Sequence, residues 1–266
     1  MIQFPNIDPV IFHIYGPIAL RWYSLAYIVG LLAGYSYFKH IDKKYKIFNF
    51  KNEQIDSLLA YVVFGIILGG RVGYVLFYKP QMFIDDPGNV LNTLQGGMSF
   101  HGGLIGFAIA TYIFAKKNNV IFLKLLDILS CLASIVIFFG RIANFINAEL
   151  FGRVTTMPWG VIFPNGGIFP RHPSQIYEAL TEGLLLFLIQ NYLLRKKYYR
   201  KTGLLSASFG FFYGSMRFII EFFREPDSHI GYFFEIFNIG QFYCLIMIII
   251  SIFIYRYSNK LSGNKN

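Results

Sequence analysis

Charge is scarce in this chain. Asp, Glu, Lys and Arg together make up 14% of its 266 residues, against roughly a quarter in soluble domains. That excludes an ordinary water-soluble domain, and with 55% hydrophobic residues the composition is that of a membrane protein. Acidic residues are the scarcer sign, 14 against 24 Lys and Arg, for a net charge of +10. Cysteine is nearly absent: Cys131 and Cys244 each stand alone in an apolar run, without metal-ligand spacing. Neither a disulfide nor a metal site is expected, nor any cofactor, and such buried thiols are unreactive. A long linker, a low-complexity tract and an internal repeat are also missing. Residues 1–10 lack a basic n-region and a small-residue cleavage site, so no cleaved signal peptide is expected. The expected organisation is a single polytopic membrane domain over residues 1–266.

Long apolar runs are plentiful. A helix needs about 20 mostly apolar residues to cross the hydrocarbon core. Seven stretches qualify, at about 17–38, 56–77, 98–115, 123–144, 174–194, 204–223 and 237–256. The expected fold is therefore all-α, an integral membrane bundle of seven transmembrane helices. The cations follow this pattern. Lys39, Lys43, Lys44, Lys46 and Lys51 fall between spans one and two, and Lys116, Lys117 and Lys124 between three and four. Arg195, Lys196, Lys197, Arg200 and Lys201 fall between five and six, with Arg256, Lys260 and Lys265 in the tail. Sixteen of the 24 basic residues thus lie on one side of a seven-span chain. The positive-inside rule makes that side cytoplasmic, with the N-terminus outside and the C-terminus inside. The charge marks topology, and no nucleic-acid partner is expected.

The outer connections are rich in breakers. Residues 79–97 hold Asp85-Asp86-Pro87-Gly88 and Gly96-Gly97, which read as turns. Residues 145–173 form the longest stretch off the membrane, with a short strand expected around Trp159 to Phe163. Residues 224–236 make a third outer segment. The apolar pieces Ile2 to Pro5 and Val10 to Phe12 are too short to span and suit the outer interface. Most Phe and Tyr residues, 30 and 19 in number, read as lipid-facing bulk and interfacial belts. Gly69 with Gly73, Gly102 with Gly106, and Gly210 with Gly214 are small-xxx-small pairs that allow close helix contact.

Polar groups interrupt the apolar runs at a few places. The segment Gly140-Arg141-Ile-Ala-Asn144-Phe-Ile-Asn147-Ala-Glu149-Leu-Phe-Gly152-Arg153 follows directly on the run Ile128 to Phe139. An Arg at the bilayer centre costs roughly 2.5–3.5 kcal/mol on insertion scales, so such a residue points to function. On a helix Arg141 and Asn144 share a face. His101 and Arg71 lie at membrane depth in glycine-rich settings. Tyr213, Arg217, Glu221 and Arg224 follow steps of four, four and three, one face of a helix. Each has a plainer reading. Arg217 and Glu221 suit a structural ion pair with Arg224 snorkelling outward. Arg71 suits backbone carbonyls, and His101 an ordinary helix contact. Arg171-His172-Pro173-Ser174 reads as a helix start with Ser174 as N-cap. Together, however, several arginines suit a phosphate, because the guanidinium fork binds two oxygens and keeps its charge. An imidazole is suited to taking a proton near neutral pH. The residues alone imply a membrane enzyme or transporter acting on an anionic lipid at the outer leaflet.

Several motifs resemble those of the phosphatidylglycerol–prolipoprotein diacylglyceryl transferase family. They are Leu20-Arg21-Trp22-Tyr23, Gly69-Gly70-Arg71-Val72-Gly73-Tyr74, Gly96-Gly97-Met98-Ser99-Phe100-His101-Gly102-Gly103, and the 140–153 segment. Arg171-His172-Pro173-Ser174-Gln175 and Arg217 to Asp227 complete the set, in order over residues 5 to about 256. Ala143 and Ala148 depart from the pattern, which has glycine at both places. The resemblance implies a seven-span bundle in the bacterial inner membrane with a periplasmic head segment at about 145–173. It implies transfer of a diacylglyceryl group from phosphatidylglycerol to the lipobox cysteine of a prolipoprotein signal peptide, with release of glycerol 1-phosphate.

The nucleophile then belongs to the substrate, consistent with the placing of Cys131 and Cys244. Arg141 and Arg217 are expected on the phosphate, supported by Asn144 and Tyr23. His101 is the expected base, with Tyr213 as a polar assistant. Gly102, Gly103, Glu149 and Gly152 complete the substrate-binding set, while Glu149 and Glu221 orient arginines and Arg153 helps Glu149 hold the outer end in shape. Arg71, Glu221 and Arg224 support the site or gate it. A lipid flippase or small-anion transporter would use the same arginines, but the lack of repeat symmetry speaks against it. A structural scaffold leaves the buried charge unexplained.

Overall fold

The computed structural model describes all residues except 1, 6, 16, 17, 94, 95, 226–231, 234–236 and 264–266. Pro226, Asp227 and Lys265, and most of the expected outer segment 224–236, therefore lie outside the described residues. Nine α-helices are described: α1 Trp22–Tyr45, α2 Asn52–Tyr78, α3 Met82–Asp85, α4 Phe100–Lys117, α5 Phe122–Ile146, α6 Ser174–Glu178, α7 Leu186–Arg195, α8 Leu204–Ile220 and α9 Ile239–Gly263. A π-helical turn, Ala179–Leu185, joins α6 to α7 without a break. Short strands are β1 Ile2–Gln3, β2 Val10–Tyr15, β3 Ile18–Arg21, β4 Val161–Ile162, β5 Tyr232–Phe233 and β6 Phe237–Asn238. Among the described helices, those over Asn52–Tyr78, Phe122–Ile146 and Ile239–Lys260 are long and apolar enough to cross a membrane.

Each apolar stretch read from the sequence coincides with helix, but several ends differ. The first begins at Trp22 rather than near 17, because Ile18–Arg21 pairs antiparallel with Val10–Tyr15. The fourth ends at Ile146, where the chain turns: Ala148 and Leu150 take positive φ of 52° and 56°. The sixth ends at Ile220, so Glu221 and Arg224 sit just beyond the helix and not on it. Ser174 is not an N-cap. Pro173 holds that position, and the Ser174 hydroxyl donates instead to the Leu150 carbonyl at 3.0 Å.

The chain divides into two compact units, Lys39–Leu126 and Met1–Phe38 with Asp127–Asn266. In the first, α2 packs on α4 through glycine. A Cβ on Gly106 would stand 2.8 Å from the Gly69 Cα and collide with the Gly65 carbonyl, so only hydrogen fits. Arg71, 2% exposed, points its guanidinium at backbone: Nε donates to Val90 O at 2.8 Å, Nη1 to Gly96 O at 2.6 Å and Nη2 to Asn89 O at 2.9 Å. The start of α2 and the end of α4 meet, as Gln54 donates to Asn118 at 2.8 Å, and Phe50 of the loop before α2 lies edge-on to Phe114.

In the second unit α8 packs on α9, with Gly214 against the Cys244 carbonyl and Ile248. Asp127 of α5 accepts from Gly203 N at 2.6 Å and from Ser206 N and Oγ at 2.8 Å, capping the start of α8. The strand expected near Trp159 is β4, paired in parallel with β1. Phe4, Phe145 and Phe151 gather around Phe163, Val161 and Ala148 below it. Cys131 and Cys244 are buried and free. Gly106→Ala should force α2 and α4 apart at a cost of about 1–3 kcal/mol, read as a lower thermal midpoint in detergent. Gly88→Ala, where a Cβ meets nothing within 4 Å, should leave it unchanged.

Candidate active site

The site grows from α5. Its last two turns carry Arg141 and Asn144, three apart on one face as the helix period requires. Against Arg141 stands the helix of residues 174–195, and on it Glu178 and Glu182, both 0% exposed. Arg141 Nε lies 3.1 Å from Glu178 Oε2 and Nη2 3.4 Å from Glu182 Oε2. From α8, Arg217 Nη1 reaches Glu178 Oε1 at 2.6 Å and Glu182 Oε1 at 3.5 Å, while Nη2 meets Glu221 at 2.6 Å. Arg224 Nη1 closes on Glu178 Oε1 at 2.7 Å, and its Nε lies 3.6 Å from Glu221. Three arginines and three carboxylates therefore form one network from three parts of the chain.

The network has an inside and an outside. The carboxylates of Glu178 and Glu182 are fully buried, whereas the side chains of Arg141, Arg217 and Arg224 keep 18%, 16% and 11% exposure. The acids thus hold the guanidinium groups from behind. Arg141 Nη1 has no partner among the described residues. Glu182 lies on the π-helical turn, a distortion that occurs often at functional sites. The turn is seated tightly, since a Cβ on Gly183 would stand 2.7 Å from Phe138 Cβ of α5.

Arg141 and Arg217, whose meeting the spacing left open, come together through Glu178 and Glu182. The Arg217–Glu221 pair forms as expected. Arg224 does not snorkel outward, because buried Glu178 draws it in. Glu149 meets no arginine among the described residues. It lies beyond the end of α5, where helical spacing no longer applies, and accepts from Asn144 Nδ2 at 2.7 Å and Asn147 Nδ2 at 3.5 Å. Gln175 donates to the Glu149 carbonyl at 2.6 Å and fixes this turn to α6. The Tyr23 hydroxyl lies 3.4 Å from that of Tyr27, which packs against Gly140 next to Arg141. Tyr213 stacks on Phe209 with ring centroids 5.7 Å apart.

Gly152 is a glycine by necessity. It bridges to Arg224, and a Cβ would stand 2.8 Å from the His172 Cβ and collide with the Phe223 carbonyl. Arg153 Nε donates to the Arg224 carbonyl at 2.8 Å, and Arg171 pairs with Glu225. His172 belongs to this scaffold, its Nδ1 3.1 Å from the Tyr177 hydroxyl; burial pushes its pKa down and favours the neutral ring. His101, Gly102, Gly103 and Arg71 belong to the unit Lys39–Leu126. His101 is exposed on the first turn of α4, whose N-cap Ser99 accepts from Gly102 N at 3.2 Å. Gly102 and Gly103 are buried and face α2, so packing is the role their surroundings assign. Glu178 and Glu182 escaped the sequence reading. Their one signal was two carboxylates four apart within an apolar stretch.

A helical chain with three described helices long and apolar enough to cross a membrane, and an arginine–carboxylate cluster within its fold, has the architecture of a membrane protein. A family model described as prolipoprotein diacylglyceryl transferase matches residues 9–257, and the chain belongs to that family. A phosphatidylglycerol–prolipoprotein diacylglyceryl transferase of Rickettsia rickettsii (strain Sheila Smith) is 47% identical over 259 residues, 97% of this chain and 99% of its own. The protein of that name from Rickettsia conorii (strain ATCC VR-613 / Malish 7) is 46% identical, with the same shares covered. That from Rickettsia bellii (strain OSU 85-389) is 46% identical over 254 residues, 95% of this chain and 96% of its own.

Two stability predictions follow from the geometry. Glu178 meets three arginines and Glu182 two, at longer distances. Breaking a buried pair costs about 3–5 kcal/mol, so Glu178→Gln should lower the thermal midpoint more than Glu182→Gln. The reverse order would show that the network is not centred on Glu178. Ala148 holds a left-handed φ of 52°, worth roughly 1–2 kcal/mol of strain against about 0.5–1 kcal/mol for the extra freedom of glycine. Ala148→Gly should therefore raise the midpoint slightly in the same unfolding measurement.

Proposed function

We propose that this protein is a transferase that moves the diacylglyceryl group of phosphatidylglycerol onto the lipobox cysteine thiol of a prolipoprotein. The observation that carries the reading is 47% identity, over 97% of the chain, to a relative of that name. In the reaction the sulfur forms a bond to the glycerol carbon. The carbon–oxygen bond to phosphate breaks, its electron pair stays on the phosphate oxygen, and glycerol 1-phosphate leaves. The thiol proton passes to a base.

We assign Arg141 and Arg217 to the phosphate, where negative charge grows as the ester departs. The buried acids behind both guanidinium groups and the unused Nη1 of Arg141 support this assignment. Asn144, Tyr23, Glu149, Gly152 and Tyr213 line the substrate path, with Gly102 and Gly103 setting the start of α4. His101 is the base. Glu178 and Glu182, with Glu221 and Arg224, hold the arginines in position. Arg71 holds the loop that leads into α4. The chain forms a single membrane domain of seven spans in the bacterial inner membrane, with residues 145–173 as a periplasmic head. Its N-terminus is periplasmic and its C-terminus cytoplasmic, as the lysine-rich connections support.

The test is a purified protein given phosphatidylglycerol and a lipobox peptide, with the thioether product sought by mass. His101→Gln should slow transfer by about 10²–10⁴-fold. Arg141→Lys keeps a charge for Glu178 but loses the fork, and should slow transfer by about 10²-fold or more. Wild-type rates in Arg141→Lys and Arg141→Ala together would remove the phosphate cradle. Headgroup movement across the bilayer without covalent product would replace the transferase by a transporter.

A further inference from the structure

Residues 154–170, between α5 and α6, contain no Asp, Glu, Lys, Arg or His. Their backbone is folded on itself. The Val154–Arg171 bridge sets two stretches antiparallel, with Thr155 N donating to Pro170 O at 2.9 Å. Gly160 is packed between them, since a Cβ there would stand 3.0 Å from Thr155 Cγ2 and 3.1 Å from Pro170 Cβ. What leaves this knot is apolar: Met157 is 45% exposed, Trp159 49%, Ile168 82% and Phe169 59%. The arginines at its two ends are drawn into the protein, Arg153 by the Arg224 carbonyl and Arg171 by the Gly166 carbonyl and Glu225. Turn chemistry accounts for the prolines and glycines of the segment. It does not ask for large apolar side chains in water, and exposed apolar residues are ordinary only when scattered.

The knot is tied to a helix with an exposed apolar side. Trp159 Nε1 donates to the Tyr177 hydroxyl at 2.7 Å, at the start of the helix of residues 174–195. Further along that helix Leu180, Leu184 and Leu188 are 50%, 44% and 53% exposed, on the side away from buried Glu178, Glu182 and Gln190. In a membrane-spanning helix such a leucine row belongs to lipid, so the hydrogen bond hangs Trp159 at the rim of a lipid-facing surface. Ile2, itself 51% exposed, joins the knot at Gly160, whose carbonyl accepts from its N–H at 2.9 Å.

We propose that the face carrying Met157, Trp159, Ile168 and Phe169 rests in the outer leaflet, with these side chains among the headgroups and first acyl carbons. The proposal rests on the seven-span topology given above, which puts the segment on the outer side. Trp suits that depth because its ring is apolar while its N–H keeps a partner. Lipid is favoured over a peptide because the four residues stand on turns, which project and form no groove. Gly160 N donates to Met157 O at 2.9 Å in one turn, and Ile168 follows Gly167 at a φ of 83° in the other. A head seated in this way fixes the depth of Gly152 and Arg153, which adjoin Arg224 of the arginine network.

The chain has two tryptophans, Trp22 and Trp159, so Trp22→Phe leaves Trp159 as the sole reporter. The full-length variant is placed in phosphatidylcholine nanodiscs, with and without bromine on one acyl chain near the glycerol. Bromolipid should remove about half or more of the Trp159 emission, whereas iodide, which stays in water, should remove little. Ile168→Cys carries a nitroxide in a second sample, Cys131 and Cys244 being buried. Its spectrum should be relaxed more by oxygen, which concentrates in lipid, than by a water-soluble nickel chelate. Iodide quenching of Trp159 without bromolipid quenching, or a nitroxide relaxed mainly by nickel, would overturn the proposal. So would iodide quenching that a lipobox peptide relieves, which would give the face to the substrate. The topology is checked apart from the contact. Asp85→Cys, on the expected outer connection 79–97, should react with an impermeant maleimide on intact spheroplasts. Reaction only after lysis would overturn the outer leaflet through the topology, whatever the quenching.

Discussion

Glu178 and Glu182 are carboxylates with no access to solvent, and most of the second unit is arranged around matching them. An uncompensated charge at such depth is strongly destabilising, so each acid demands cations at short range. The demand is met from α5 by Arg141, from α8 by Arg217 and from the turn after α8 by Arg224. Those contacts fix how three segments, distant in sequence, pack in the unit. The same network then anchors the segment that follows α5. The Arg224 carbonyl accepts from Arg153, and Gly152 bridges to Arg224 with no room for a side chain. A loop with seven prolines and glycines from residue 158 to 173 is thereby tied to a charge cluster.

Two arginines illustrate how surroundings divide labour between identical side chains. Arg71 is saturated by neutral carbonyls from Asn89, Val90 and Gly96. Among the described residues no acid pairs with it, and its hydrogen bonds hold the loop in front of α4. Arg141 is held by two acids, keeps partial exposure and retains an unused donor. Under the proposed function, a guanidinium held from behind in this way would meet the phosphate with its own ordering already settled.

Much of the helical order was legible from composition and period. The seven apolar stretches coincide with helix, the glycine pairs at 69/73, 102/106 and 210/214 sit where helices touch, and the strand near Trp159 forms. The readings that failed share a cause. Glu149 was placed with an arginine by helical spacing, but α5 stops at Ile146 and the register is lost. The plainer alternative for Arg224, snorkelling outward, fails because its partner lies 46 residues away on another helix. Glu178 and Glu182 went unremarked because the residues around them read as one more apolar span.

Apolar content, the spacing of breakers and the clustering of lysines are local properties, and each constrains the chain without reference to distant residues. They determined that this protein is helical, membrane-like in composition and marked by rare polar residues at Arg141, Asn144 and Arg217. Which acid meets which arginine is a different kind of fact. The partners of Glu178 lie 37, 39 and 46 residues away, on other elements of the unit. Ion pairs between packed helices depend on interhelical register, which spacing along one helix does not contain. Tertiary structure alone decided that the arginines of α5 and α8 share one pair of buried carboxylates.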